Sequence, residues 1–132
     1  MDAKTVEKEV RASFDGLMAA INAKDAAAWA DFYSKGGFVS AAAGTDRFSA
    51  RKAWVEAVQG FFASRKRQLV TPGEVRITEL SPGVALLTSE EKTEFTLMDG
   101  GAFKGTHLFT MIWKREAGGW KIVHSHESWA DA

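Results

Sequence analysis

The sequence contains no cysteine, which excludes disulfide bonds, thiolate nucleophiles and cysteine-based zinc sites. It also has no net charge, since 17 Lys and Arg residues balance 17 Asp and Glu residues. A balanced charge gives no field that attracts nucleic acid or anionic lipid, so we expect neither nucleic acid nor a membrane as a partner. No apolar run approaches the ~20 residues that span a membrane, and the charged start MDAKTVEKEV lacks the apolar core of a signal peptide. We therefore expect a cytoplasmic protein.

The composition is otherwise that of an ordinary folded protein. Of the 132 residues, 45% are hydrophobic and 26% are charged, which provides for one core but not for two ordinary domains. We expect one domain, residues 1–132. The one basic cluster, residues 65–67, follows a helical pattern, so we expect its charges to lie in solvent near a helix C-terminus.

The first half of the chain has helical periodicity. Apolar residues recur every three or four positions over 4–23, which predicts a long amphipathic helix. Asp25 stands at the N-cap position of a second, short helix that Gly36 and Gly37 are expected to end. After the apolar run FVSAAA and a turn at GTDRF, Ser49 is the expected cap of a third helix.

The second half of the chain has the shorter period of strands. Extended runs are predicted over 68–80, 83–97 and 103–116, and the stretch GGWKIVHSHESW, residues 118–129, gives the last strand of a four-strand meander. Helices followed by hairpins predict an α+β domain with a curved, mostly antiparallel sheet packed on three N-terminal helices. Such a small sheet must curl around the helices, and its open wide end is the expected place for a pocket.

Alternation along the strands selects candidate polar residues for that pocket. Over 88–97 the flanking charges form a solvated ladder, which leaves Glu91 as the inward acid. Over 103–116 the apolar face carries His107 and Met111. These residues are expected to point into the cone.

The orientation of the last strand depends on the length of the turn at EAGG. If the turn uses residues 117–119, Glu127 points inward beside His107; a slip of one residue puts His124 and His126 there instead. We favour Glu127 inside. The two histidines also have the spacing of a metal pair, but a third ligand is needed, and we expect hydrogen-bonded histidines at a subunit interface and no metal.

Four segments carry a resemblance to a known family: AKDAAAWADFY, SARKAW, TMIWKREAGG and WKIVHSHES. Together they resemble the nuclear transport factor 2-like superfamily, and the last is similar to its SnoaL-like branch and to the association domain of calcium/calmodulin-dependent protein kinase. The resemblance covers nearly the whole chain. It implies a cone-shaped α+β half-barrel, usually a homodimer formed through the outer sheet face, with a pocket between helices and sheet. Members include isomerases, cyclases, dehydratases, transport factors and oligomerisation modules, so the fold leaves the activity open.

The sequence departs from two members of that superfamily at their functional positions. The tyrosine and aspartate of ketosteroid isomerase match Leu17 and Ala41, so steroid isomerisation by that constellation is not expected. The pocket arginines of the kinase association domain match Thr93, Met111 and Glu127. The resemblance therefore implies a neutral or cationic ligand here rather than an anionic one.

These observations predict a pocket for a small, largely apolar ligand, with no cofactor. Glu91, His107 and Glu127 are the candidate acid/base residues of a cofactor-independent isomerase, cyclase or dehydratase. The alternative is a non-catalytic dimerisation or ligand-sensing module in which the same residues form a structural polar network. The candidate ligand-binding residues are Trp29, Tyr33, Phe38, Trp54, Phe61 and Met111.

Overall fold

The computed structural model describes residues 1–131, which form three helices and six strands in the predicted α+β arrangement. The helices precede most of the sheet, as the change of period along the sequence predicts. The elements are α1 (Ala3–Asn22), α2 (Ala26–Ala30), β1 (Ser40–Ala43), β2 (Asp46–Phe48), α3 (Arg51–Ser64), β3 (Arg65–Ser81), β4 (Val84–Leu97), β5 (Ala102–Glu116) and β6 (Gly119–Asp131).

The helix boundaries confirm one expected cap and correct two other expectations. The carboxylate of Asp25 accepts a hydrogen bond from the backbone N–H of Ala28 at 3.0 Å, as predicted. Helix α2 nevertheless ends at Ala30 and not at the glycine pair, because the chain turns there to run beside β6. The expectation for Ser49 was wrong: α3 begins after Ala50, which makes no side-chain cap.

The six strands form one curved, unclosed sheet in the order β2-β1-β6-β5-β4-β3. All neighbours are antiparallel except β1 and β6, which run parallel. The sheet therefore has two strands more than the predicted four-strand meander. The apolar run FVSAAA supplies β1, and part of the expected turn GTDRF forms β2, which pairs with β1. The helices pack on the concave side and complete the cone.

The register between β5 and β6 decides which residues of β6 face the concave side. The turn holds only Ala117 and Gly118, one residue fewer than the turn that would place Glu127 inside by regular alternation. Trp113 then pairs with Ile122, but the preceding residue of β5, Ile112, pairs with His124, which leaves Val123 as a bulge.

The bulge restores the orientation that the longer turn was expected to give. Beyond it, Met111 pairs with Ser125 and Phe109 with Glu127, so Glu127 lies on the concave side as predicted. His124 and His126 lie on the outer side.

The core lies between α1 and the sheet, where apolar side chains from both layers are fully buried. No helix in the described part of the chain is long and apolar enough to cross a membrane. The most completely buried apolar side chains are Phe14, Leu17, Leu87, Trp113 and Ile122.

Gly105 on β5 gives a test of this packing. A Cβ at this position would overlap the carbonyl oxygen of Ala130 on β6 and crowd the ring of Phe103. We expect Gly105→Ala to lower the free energy of unfolding by about 1–3 kcal/mol, because overpacking forces the strands apart. Gly60→Ala on α3 is the matched control: its Cβ meets nothing, so it should raise the free energy of unfolding by up to ~1 kcal/mol. Urea denaturation measures both, and equal effects of the two changes would contradict the packing.

Candidate active site

A cavity of about 180 Å³ lies between the three helices and the concave face of the sheet. Its walls are mainly aromatic and aliphatic, and its volume exceeds that of a cavity of about 150 Å³ that holds benzene. The space therefore suits a ligand of roughly one ring. The lining residues are Leu17, Ile21, Trp29, Tyr33, Trp54, Val58, Phe61, Phe62, Arg65, Val70, Thr93, Phe95, Phe103, His107, Phe109, Met111, Ser125, Glu127 and Trp129.

Three aromatic residues make the helical wall of the cavity rigid. The ring of Trp29 lies 4.8 Å from that of Tyr33 and 5.7 Å from that of Trp54, and the last two rings are 6.1 Å apart. The Tyr33 hydroxyl and the Ser125 hydroxyl are within hydrogen-bonding distance, 2.9 Å, across the cavity floor. Burial raises the pKa of Tyr33 above its ordinary value, so the phenol keeps its proton.

His107 is the imidazole of the sheet wall. It is 9% exposed and packs between the rings of Phe109 and Trp129, at centroid distances of 5.8 and 5.5 Å. Burial, with a smaller effect from the charge of Arg65, lowers the pKa of His107 to about 4. The ring is therefore neutral at physiological pH.

Glu127 is the carboxylate of the cavity. It is half-buried on β6 opposite Phe109. Burial raises the pKa of Glu127 to about 7, although the positive charge of Arg65 acts in the opposite direction. At neutral pH this carboxyl group is therefore divided between its ionised and protonated forms, which is the condition for an efficient general base.

Glu91 is an inward acid, but the structure does not bring it to the cavity. It is 0% exposed and hydrogen-bonds with one oxygen to the hydroxyl of Ser89, which also does not line the cavity. Its other oxygen has no partner among the described residues. Burial raises the pKa of Glu91 to about 7, the Ser89 hydrogen bond lowers it, and the charge of Glu127 raises it further.

Arg65 is a cavity residue that the sequence pattern does not predict. Expected in solvent, it lines the cavity instead, because α3 passes into β3 without a loop and the pairing of β3 with β4 shifts register between Arg65 and Arg67. Lys66 and Arg67 are exposed, as expected for the whole cluster. The guanidinium lies 4.1 Å above the ring of Phe95 and donates to Gln68 at 2.8 Å. No regular alternation could have revealed it, because the two residues after Arg65 are both exposed and the buried positions of β3 resume only at Gln68.

The other candidate residues divide into those on the cavity wall and those outside it. Phe38 is half-buried beside Tyr33, with ring centroids 6.3 Å apart, and does not line the cavity. His124 lies outside and hydrogen-bonds through its ring to Ser40. The predicted ligand-binding residues on the wall are Trp29, Tyr33, Trp54, Phe61 and Met111.

Three residues of the wall carry buried polar atoms without a partner in the described chain. They are Nε1 of Trp54, Oγ1 of Thr93 and Nδ1 of His107. A buried polar group left unpaired costs roughly 1–3 kcal/mol, so such groups normally bind a water or a ligand. The cavity thus offers hydrogen-bonding positions that the protein itself does not fill.

The raised pKa of Glu91 predicts a pH-dependent stability. A carboxyl group whose folded pKa lies above its unfolded value loses stabilising effect as pH rises from about 4.5 through about 7. Glu91→Gln imitates the protonated acid, so its free energy of unfolding should equal that of the wild type near pH 4.5 and exceed it by up to about 3 kcal/mol at pH 8. Urea denaturation at a series of pH values measures the difference.

The exposed neighbour Glu90 provides the control for this prediction. Glu90→Gln should give only a small pH-dependent gain, because its carboxylate is exposed and its charge is the smallest contribution to the raised pKa of Glu91. A stability difference between Glu91→Gln and the wild type that stays constant with pH would contradict the assignment.

Comparison with solved structures shows the same fold in proteins of low sequence identity. A proposed dehydratase of the nuclear transport factor 2-like family from Streptomyces avermitilis has 17% identity and a TM-score of 0.86, with 99% of this chain and 100% of that chain covered. A proposed association domain of calcium/calmodulin-dependent protein kinase II from Xanthomonas campestris has 18% identity and a TM-score of 0.77, with 91% and 84% covered. A hexachlorocyclohexane dehydrochlorinase from Novosphingobium barchaimii LL02 has 8% identity and a TM-score of 0.79, with 95% and 86% covered.

No curated protein matches the chain. The family model described as the SnoaL-like domain matches residues 10–132, which is nearly the whole sequence. It agrees with the resemblance carried by the strand WKIVHSHES and with the cone-shaped fold. The chain therefore belongs to the SnoaL-like domain family.

Proposed function

We propose that the protein is a cofactor-independent enzyme that transfers a proton on a small, largely apolar ligand, with Glu127 as the general base. The observation that carries this proposal is a carboxyl group on the wall of a mainly apolar cavity, where burial raises its pKa to about 7. A base of this pKa is half ionised at neutral pH and gains the most from proton transfer there. The reaction classes that need nothing more are isomerisation, aldol-type cyclisation and dehydration.

The remaining polar groups have supporting roles in this proposal. Neutral His107 binds the ligand through its unpaired Nδ1, and the hydroxyls of Tyr33 and Ser125 offer a further donor at the cavity floor. Glu91 acts from outside the cavity: ionisation of Glu127 raises the pKa of Glu91, which favours a neutral Glu91 while the base is charged. Of the two acids, only Glu127 is then negatively charged, and its carboxylate accepts the proton.

The solved structures of similar fold support the class of reaction without identifying the substrate. One is a proposed dehydratase and another is a dehydrochlorinase, and both names denote eliminations in which a proton leaves a carbon atom. At such low identity the likeness extends to the fold alone. The argument for proton transfer therefore rests on Glu127 and on the cavity around it.

Glu127→Gln tests the proposed base. The probes are small cyclic ketones of one ring, including 3-cyclohexenone, and the measurement is deuterium incorporation from D₂O by NMR with conversion to the conjugated isomer. The wild-type rate should rise with pH through about 7, as Glu127 loses its proton. Glu127→Gln should lower the rate at least ~100-fold, the usual contribution of a general base.

The exposed acid Glu94 on β4 provides the control for this experiment. Glu94→Gln should keep the wild-type rate and pH profile, because its side chain lies on the outer side of the sheet. A Glu127→Gln protein with wild-type activity, or the absence of protein-dependent exchange in every ketone, would refute the proposed chemistry.

We also propose a homodimer formed through the outer sheet face, the convex surface that carries Leu86, Leu108 and Ile112. Leu108 is 54% exposed in the middle of this surface, between Glu90 and Ser128 on the neighbouring strands. Burying a leucine of this kind against a second copy removes apolar surface from water. The dimer is compatible with an enzyme and with the alternative of a dimerisation or ligand-sensing module. The expected cytoplasmic location and the absence of nucleic-acid and membrane partners stay predictions.

Leu108→Glu tests the dimer. The change puts a charge on the outer sheet face, so sedimentation velocity should show a shift from dimer to monomer while the circular dichroism spectrum is unchanged. Leu80→Glu is the matched control, because Leu80 is similarly exposed but lies at the end of β3. A wild-type protein that sediments as a monomer would contradict the proposal.

A further inference from the structure

Arg65 is held in a fixed position at the edge of the cavity. Its Nη1 donates to Gln68, whose own amide donates to the carbonyl oxygen of Ile21 in α1. The guanidinium plane covers the ring of Phe95, and the side chain of Lys24 donates to the backbone carbonyl of Arg65. Gln68 and Phe95 thus hold the side chain of Arg65, and Lys24 holds its backbone, before any ligand arrives.

Among the described residues, no direct ion pair neutralises the charge of Arg65. Among the described lining residues it is the one Lys or Arg side chain, and no ion pair joins it to Glu127 within residues 1–131. Both side chains nevertheless line the same cavity, and the charge of each affects the pKa of the other. A guanidinium has five N–H donors, so donors beyond the one used by Gln68 are available to a ligand between the two residues.

We infer that Arg65 binds a carbonyl or carboxylate oxygen of the substrate, so that the substrate class is a small ring compound bearing such an oxygen. This inference rests on the proposed function in one respect, namely that a ligand occupies the cavity. A guanidinium donates in a planar fork that matches these oxygens, and the aromatic walls accept the ring. The oxygen of such a ligand would bind Arg65, and its ring would contact the apolar lining.

The two charged residues together provide a complete proton-transfer step on a carbonyl compound. The carboxylate of Glu127 takes a proton from the carbon next to the carbonyl, and the electron pair of that C–H bond becomes a carbon–carbon double bond. The carbonyl π electrons move to the oxygen, where Arg65 donates its N–H groups to the developing enolate. In a β,γ-unsaturated ketone, return of the proton from Glu127 to the γ carbon of the dienolate moves the double bond into conjugation, restores the carbonyl and completes an isomerisation with no other reactant.

The position of Arg65 widens the range of ligand charge that the resemblance implied. The arginine positions of the kinase association domain are Thr93, Met111 and Glu127 here, which favoured a neutral or cationic ligand. Arg65 supplies a positive charge from the junction of α3 and β3 instead. A ligand with an oxygen of partial or full negative charge is therefore accommodated, although the three matching positions are not basic.

Binding of three matched probes tests the inference. Benzoate carries a carboxylate, acetophenone carries a neutral carbonyl, and ethylbenzene has the same ring without oxygen; NMR titrations measure their dissociation constants. Arg65→Gln should weaken benzoate, acetophenone or both by about 10- to 100-fold, the range for a hydrogen bond to a charged group, and leave ethylbenzene within about twofold. Arg65→Lys should recover part of the benzoate affinity. Arg67→Gln, the exposed matched control, should change none of the three.

Each outcome decides the inference. Weakening of benzoate alone identifies a carboxylate substrate, and weakening of acetophenone alone or of both identifies a carbonyl oxygen. An Arg65→Gln protein that binds all three probes like the wild type, or that loses all three equally, overturns the inference, as does a wild type that binds none of them. The deuterium-exchange rates of Glu127→Gln are read separately. Loss of oxygen selectivity in Arg65→Gln with unchanged exchange in Glu127→Gln would refute the base and keep the oxygen site.

Discussion

The extra residue in β6, Val123, determines which side chains face the cavity. With a two-residue turn and unbroken alternation, Met111 would pair with His124, and the histidines of the strand would point inward. The bulge moves the register by one residue, so that Met111 pairs with Ser125 and Glu127 follows on the same side. The bulge at Val123 therefore places both Ser125 and Glu127 at the cavity. The electrostatic properties that depend on Glu127 follow from this one backbone irregularity.

The bulge is supported by the segment between α2 and β1, and this connects the helical half of the fold with the site. The backbone N–H of Ser34 donates to the carbonyl of Ile122 at 2.9 Å, and that of Val39 donates to the carbonyl of Val123 at 2.7 Å. Both carbonyls around the bulge are thus paired with the chain that leaves α2 early. The early end of α2 and the bulge at Val123 depend on each other. A longer α2 would not place the N–H groups of Ser34 and Val39 beside these two carbonyls.

The sequence predicts the fold well and the site in part, for a physical reason. Alternation identifies the inward face of a strand, so the cross-strand partners Glu91 and His107 were both expected on the concave side, where they lie. Alternation does not tell where along the concave face a residue lies relative to the cavity. Glu91 is buried outside the cavity, whereas His107 lines it. Arg65 was missed because a basic cluster after a helix normally continues into a solvated loop, whereas here the strand begins at once. The bulge at Val123 depends on contacts distant in sequence, which no local pattern reports.

The charges of the cavity are arranged so that the proposed reaction would move charge without changing its total. Before proton transfer, Arg65 is positive, Glu127 is negative and His107 is neutral. After transfer, Glu127 is neutral and the negative charge lies on the substrate oxygen, next to Arg65. In a site of low dielectric this displacement toward a fixed cation costs less than the creation of a new charge. The two opposing effects on Glu127 suit this reaction: burial raises its pKa and makes it a stronger base, and Arg65 lowers that pKa and keeps part of it ionised at neutral pH.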